Sequence, residues 1–114
     1  MSDGPDRRPI AAPARETPEM RRLRRRIDAL DRRIVALLNE RTRLGLAVGE
    51  AKDEVGRRAI RDAEREREVL LRAATANAGP LPQVELLAIY RRLIAATRRL
   101  EGAARRQRRD ATER

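Results

Sequence analysis

The stretch LRRRIDALDRRIVALLNERTRLGLAVGEAK, residues 23–52, decides how this chain folds. Leu23, Ile27, Leu30, Ile34, Leu37, Leu44, Val48 and Ala51 recur at alternating steps of four and three, which places them on one stripe of an α-helix. The step between Leu37 and Leu44 is taken by Arg41. A guanidinium stays charged in a protein, and burying one without a partner is costly. By itself, a polar residue in a seam can simply mark a helix–helix register. Its company decides otherwise, because Lys52 lies eleven residues on. Eleven residues is three turns plus about 20°, so the two cations share a face, ~16 Å apart along the axis. Long side chains on both can close around a small anion.

Working outward, Thr17-Pro18-Glu19 reads as a helix start, with Thr17 as N-cap, Pro18 at the first helical position and Glu19 in the first turn. No proline interrupts the pattern before about Ala51, so the expected helix is roughly 35 residues or ~50 Å long. That is too long for a compact monomer of 114 residues, and a partner chain is expected. Gly56 breaks the pattern. A second helix is expected over Ile60–Asn77, burying Ala63, Leu70, Ala73 and Ala74. The segment NAGPLP stops it, with Gly79 as a C-cap candidate and Pro82 opening a third helix. That helix is expected to reach Ala104 and to bury Val84, Leu87, Tyr90, Leu93, Ile94 and Leu100. Residues 1–16, rich in Pro, Ala, Gly and charge without a period, read as a disordered extension. The domain is then 17–104, and 105–114 is a basic tail that frays. The fold class is all-α, a three-helix protomer with one very long N-terminal helix.

Composition narrows the chemistry. The sequence has no cysteine and no histidine, so thiolate and imidazole catalysis and their metal sites are excluded. Tyr90 is the only aromatic residue. The net charge of +10 is concentrated in 17–101, which carries +7, while 1–16 is neutral and 102–114 carries +3. That balance favours anionic ligands. No apolar run approaches a membrane span and no signal-peptide core is present, so a soluble cytoplasmic protein is expected.

Ionisable groups also fall on the apolar faces of the other two helices. Asp62, Arg65, Glu66 and Val69 form one stripe, and Thr97 with Glu101 continues the line from Tyr90 and Leu93. Glu66 alone reads as a surface residue, and RRLRRR as a solvated face. Inward cations on one helix meeting inward carboxylates on two others describe a pocket for a small polyanion bearing hydroxyls.

These residues resemble the all-helical, AroQ-type chorismate mutases. In that pattern a helix opens L-R-x-x-I-x-x-L-D, runs to L-L-x-E-R and ends G-x-x-K, and a second opens R-D-x-x-R-E. Here the matching residues are Arg24, Ile27, Leu30 and Asp31, then Glu40 and Arg41, Gly49 and Lys52, and finally Arg61, Asp62, Arg65 and Glu66. The resemblance covers about residues 20–101. It implies an intertwined homodimer and a cofactor-free Claisen rearrangement of chorismate to prephenate, a small dianion. It assigns Arg24 to a substrate carboxylate in the other protomer's site and Arg41 to a carboxylate in its own. Lys52 donates to the ether oxygen. Asp62, Arg65 and Glu66 frame the ring, with Glu66 accepting from the ring hydroxyl. Thr97 stands where many members have Ser. Glu101 stands where many bacterial members have Gln, facing the ether oxygen. It also implies that an activating partner enzyme is an option, as for some short members. The helix rise agrees with the assignment of Arg24: it is seventeen residues from Arg41, ~25 Å along one helix, so a shared pocket needs an antiparallel partner.

Two departures matter. A carboxyl at 101 must carry its proton to donate to the ether oxygen, so turnover is expected to fall as pH rises past neutral and Glu101→Gln to flatten the fall. The segment between Lys52 and Asp62 is one residue longer than the family pattern. The same scaffold serves isochorismate pyruvate lyases and 4-amino-4-deoxychorismate mutases, and Glu66 suits the ring ammonium of the latter's substrate as well as a hydroxyl. From a different class, a basic helical nucleic-acid-binding protein fits the pI of about 11.5 and the predominance of arginine. It is disfavoured by the lack of stacking aromatics and by Asp62, Glu66 and Glu101 on the face it would need. Binding that collapses between low and moderate salt is its discriminator.

Overall fold

Thr17 starts the first helix as its residue type dictates. Its hydroxyl oxygen accepts from the Met20 N–H at 3.1 Å and its carbonyl from the Arg21 N–H at 3.0 Å, satisfying donors that a helix N-terminus leaves orphaned. In the computed structural model, which describes residues 15–56 and 62–113, this helix is α1 (Pro18–Glu54), followed by α2 (Ala63–Ala76) and α3 (Gln83–Glu113). The predicted start of the second helix at Ile60, the motif residue Arg61, most of the extension 1–16 and the lengthened part of the 52–62 connection lie outside the described residues.

The chain falls into two compact units, Met1–Ala36 and Leu37–Arg114. In the first, every described residue of α1 is exposed, including Leu23, Ile27, Leu30 and Ile34. Glu16 accepts from Arg21 through its carbonyl, at 2.9 Å, and pairs with Arg24 through its carboxylate.

In the second unit, α1 ends at Glu54, three residues beyond the expected end. Its stop is Gly56, whose φ of 72° is readily adopted only by glycine, and whose N–H donates to the Asp53 carbonyl at 3.0 Å. Asp62 caps α2, its carboxylate accepting from the Arg65 N–H at 2.9 Å. The C-cap of α2 is Asn77, where Gly79 had been expected. Gly79 takes a φ of 77° inside the following turn. There the Asn77 side chain accepts from the Gly79 N–H and donates to the Leu81 carbonyl, both at 3.0 Å. Pro82 is one residue outside α3, its carbonyl accepting from the Glu85 and Leu86 N–H groups at 3.1 Å.

The largest difference from expectation is the end of α3. Residues 105–113 continue the helix instead of fraying. Alanine, arginine and glutamine are good helix formers, and Asp53 at the end of α1 pairs with both Arg105 (3.7 Å) and Arg108. These last turns are therefore tied down. Burial also differs. Leu70, Ala73, Ala74, Leu87, Tyr90, Leu93 and Ile94 are half-buried as they face neighbouring helices, whereas Ala63, Val84 and Leu100 are exposed. Among the described residues no apolar side chain is fully buried, and Thr97 alone is buried, at 6% exposure. None of the described helices is long and apolar enough to cross a membrane.

Candidate active site

Two glycines let α1 and α3 approach closely. A β-carbon built on Gly45 would lie 2.6 Å from Thr97 Cγ2, and one on Gly49 would lie 3.2 Å from Glu101 Cγ. Gly45 and Gly49 are one helical turn apart, as are Thr97 and Glu101, so a two-residue ridge on α3 fits a two-residue groove on α1. This contact buries Thr97 and sets Glu101 against the helix that carries Arg41 and Lys52.

Beside it opens a cavity of about 530 Å³, within the usual size range of small-molecule sites. Arg41, Lys52, Asp62, Arg65, Glu66, Thr97 and Glu101 all line it. The structure thus brings together every candidate site residue except Arg24, which belongs to the other unit and pairs with Glu16. Leu44, Val48, Val69 and Ile94 supply its apolar walls.

The polar groups differ in how they are held. The Arg41 guanidinium lies 5.8 Å from the centroid of the Tyr90 ring, a cation–π distance. No carboxylate pairs with it among the described residues. Its seam position therefore has an aromatic neighbour that spacing alone did not show. The Lys52 ammonium is 4.0 Å from Asp62 Oδ2, so Asp62 caps α2 with one oxygen and faces Lys52 with the other. Arg65 leans along its own helix toward Glu68, at 3.5 Å. The Thr97 hydroxyl donates to the Leu93 carbonyl at 3.0 Å, which leaves its lone pairs to accept.

Two further cations line the cavity, Arg98 and Arg105. Arg98 donates to Glu66 at 2.6 Å, linking α3 to α2. Arg105 is held by Asp53, and its Nε is buried without a hydrogen-bond partner. Sequence reasoning missed both, although they flank Glu101 at three and four residues and continue the stripe from Ile94. With them, the lining carries five cations against three carboxylates, a formal excess of two positive charges.

The cavity is lined from three helices and is rich in cations, with neither thiol nor imidazole, a setting suited to holding a small anion. Residues 23–102 match the family model for chorismate mutase type II, and the chain belongs to that family. It is similar to the bifunctional chorismate mutase/prephenate dehydratase of Aquifex aeolicus (strain VF5), with 39% identity over 87 residues, covering 73% of this chain and 24% of that protein. It is also 39% identical over 72 residues to the bifunctional chorismate mutase/prephenate dehydratase of Neisseria gonorrhoeae (strain ATCC 700825 / FA 1090), covering 63% of this chain and 19% of that protein. The chain therefore spans about a quarter or less of the length of these curated relatives.

Proposed function

We propose that this chain is a chorismate mutase that rearranges chorismate to prephenate in the cavity between Arg41, Lys52, Glu66 and Glu101. The observation that carries the reading is the excess of two positive charges around a pocket of about 530 Å³, which complements a dianion of that size. The rearrangement is pericyclic and internal to one molecule, so the residues have to hold, orient and polarise. Arg41 binds one carboxylate, and Arg24 of the partner subunit binds the other. Clamped at both ends, the side chain is held over the ring in a near-attack geometry. As the C–O bond stretches, the ether oxygen gains negative charge, which the Lys52 ammonium stabilises from a fixed position. Glu101 faces the same oxygen from α3. Glu66 accepts from the ring hydroxyl, and Asp62 and Arg65 bound the ring side.

The same reading includes a homodimer. The apolar stripe of α1 remains exposed over Ile27 (54%), Leu30 (50%), Leu44 (62%) and Val48 (54%). Covering it with the same stripe of an antiparallel copy buries these side chains and brings Arg24 to the partner's pocket. The family's type and the ~25 Å of helix between Arg24 and Arg41 support this arrangement.

The test is turnover of chorismate and isochorismate side by side, with products separated and identified. Conversion of chorismate to prephenate supports the reading. Release of pyruvate from isochorismate with no prephenate formed contradicts it.

A further inference from the structure

Resting on the mutase reading, we infer that Arg98 makes the pocket selective for a substrate bearing a ring hydroxyl over one bearing a ring ammonium. Arg98 and Glu66 both line the cavity, and the guanidinium Nη1 lies 2.6 Å from Glu66 Oε1. The Glu66 side chain is 18% exposed and that of Arg98 39%, so the carboxylate is half-buried in the pocket wall while the guanidinium reaches it from the solvent side. A carboxylate offers about four lone-pair sites, so it can accept from more than one donor at a time. Its charge, however, is already compensated.

The two substrate types meet this pair differently. A neutral hydroxyl donates to the carboxylate and brings no charge to the guanidinium. An ammonium placed to reach the same carboxylate sits one hydrogen bond beyond Arg98, and the repulsion offsets its attraction to Glu66. Lys52, Arg41, Arg65 and Arg105 around the same cavity deepen that penalty. Selectivity then comes from a repulsive element built against the competitor, as well as from a contact made to the preferred substrate. Arg98 acts by its charge on the ring substituent, away from the reacting atoms, and determines specificity rather than catalysis.

The experiment measures kcat/KM for chorismate and for 4-amino-4-deoxychorismate in the wild type, Arg98→Gln, Arg98→Lys and Glu66→Gln. The wild type is expected to prefer chorismate. Arg98→Gln should move the ratio toward the amino compound by about threefold, the scale of a partly solvent-screened charge, and Arg98→Lys should restore it. A merely structural tie between α2 and α3 lowers both values together and leaves the ratio alone. Glu66→Gln removes the attraction but keeps Arg98, so its ratio should move further toward chorismate, a readout that stands if Arg98→Gln fails to fold. An unchanged ratio in Arg98→Gln, a shift toward the amino compound in Glu66→Gln, or a wild type that prefers the amino compound overturns the inference while the mutase reading stands. Rearrangement of neither compound by the wild type overturns both.

Discussion

At the scale of single residues, the site rests on groups whose neighbours define their tasks. Lys52 is the only lysine in the sequence, and its ammonium is 4.0 Å from an Asp62 carboxylate that already caps α2. Asp62 thus holds the ammonium near one place while the end of α2 stays capped. Glu101 lacks a built-in N–H donor, and an ionised carboxylate repels an oxygen that is gaining charge. Glu101→Gln supplies a permanent donor, so its kcat on chorismate should exceed that of the wild type; a kcat at or below the wild-type value contradicts a donor role for this position. Arg41 was legible in the sequence because a charge breaking a 4–3 stripe is conspicuous. Arg98 and Arg105 were not, because on an arginine-rich helix two more arginines look like a solvated face. Only the partners reveal them, Glu66 for one and Asp53 for the other.

At the scale of elements, the crossing of α1 and α3 sets the site's geometry. An alanine methyl at Gly45 would meet Thr97 Cγ2 at 2.6 Å. Gly45→Ala should therefore lower stability by about 1–3 kcal/mol through overpacking, in spite of alanine's better helix propensity. Adding Thr97→Ser deletes the offending methyl and keeps the hydroxyl on the Leu93 carbonyl. The double variant should recover wild-type stability in urea unfolding, and failure to recover contradicts the contact. A second element-scale expectation concerns Asp53, which pairs with Arg105 and Arg108 at partly exposed positions. Asp53→Ala should cost at most about 1 kcal/mol globally yet raise hydrogen exchange across 105–113. Exchange that stays at the wild-type level means the last turns hold by propensity alone. The start of α1 and its stop were readable from Thr17 and Gly56, whose chemistry is local, whereas Asp62, expected inside a helix begun at Ile60, proves to be the N-cap just outside α2. The length of α3 was not readable, because the pairing that stabilises its end joins residues more than fifty positions apart, and neither was the α1–α3 contact, since small residues at 45 and 49 have meaning only once the facing helix is known.

At the scale of the molecule, the fold class and the long first helix followed from periodicity, while the exposure of that helix's stripe follows from what a single chain can bury. With no apolar side chain fully buried among the described residues, the hydrophobic term that drives folding is largely unspent in one copy. The thermal midpoint should therefore rise with protein concentration, as for an obligate dimer, and a concentration-independent midpoint contradicts the paired arrangement. The proposed sharing of sites between subunits gives a sharper expectation. Arg24→Ala and Lys52→Ala should each be nearly inactive alone, yet after mixing and subunit exchange should regain up to about a quarter of wild-type activity, because each heterodimer holds one site with both residues intact. No recovery places Arg24 and Lys52 in the same subunit's site.

The most direct measurement is the steady-state conversion of chorismate to prephenate by the purified wild-type chain and by Lys52→Ala, with prephenate identified as product. The electrostatic account predicts turnover by the wild type and a loss of about 10²–10³-fold in kcat for the variant, the usual effect of removing one fixed donor from a developing negative charge. Prephenate formation that is indifferent to Lys52 contradicts that account, and its absence in the wild type contradicts the proposed activity itself.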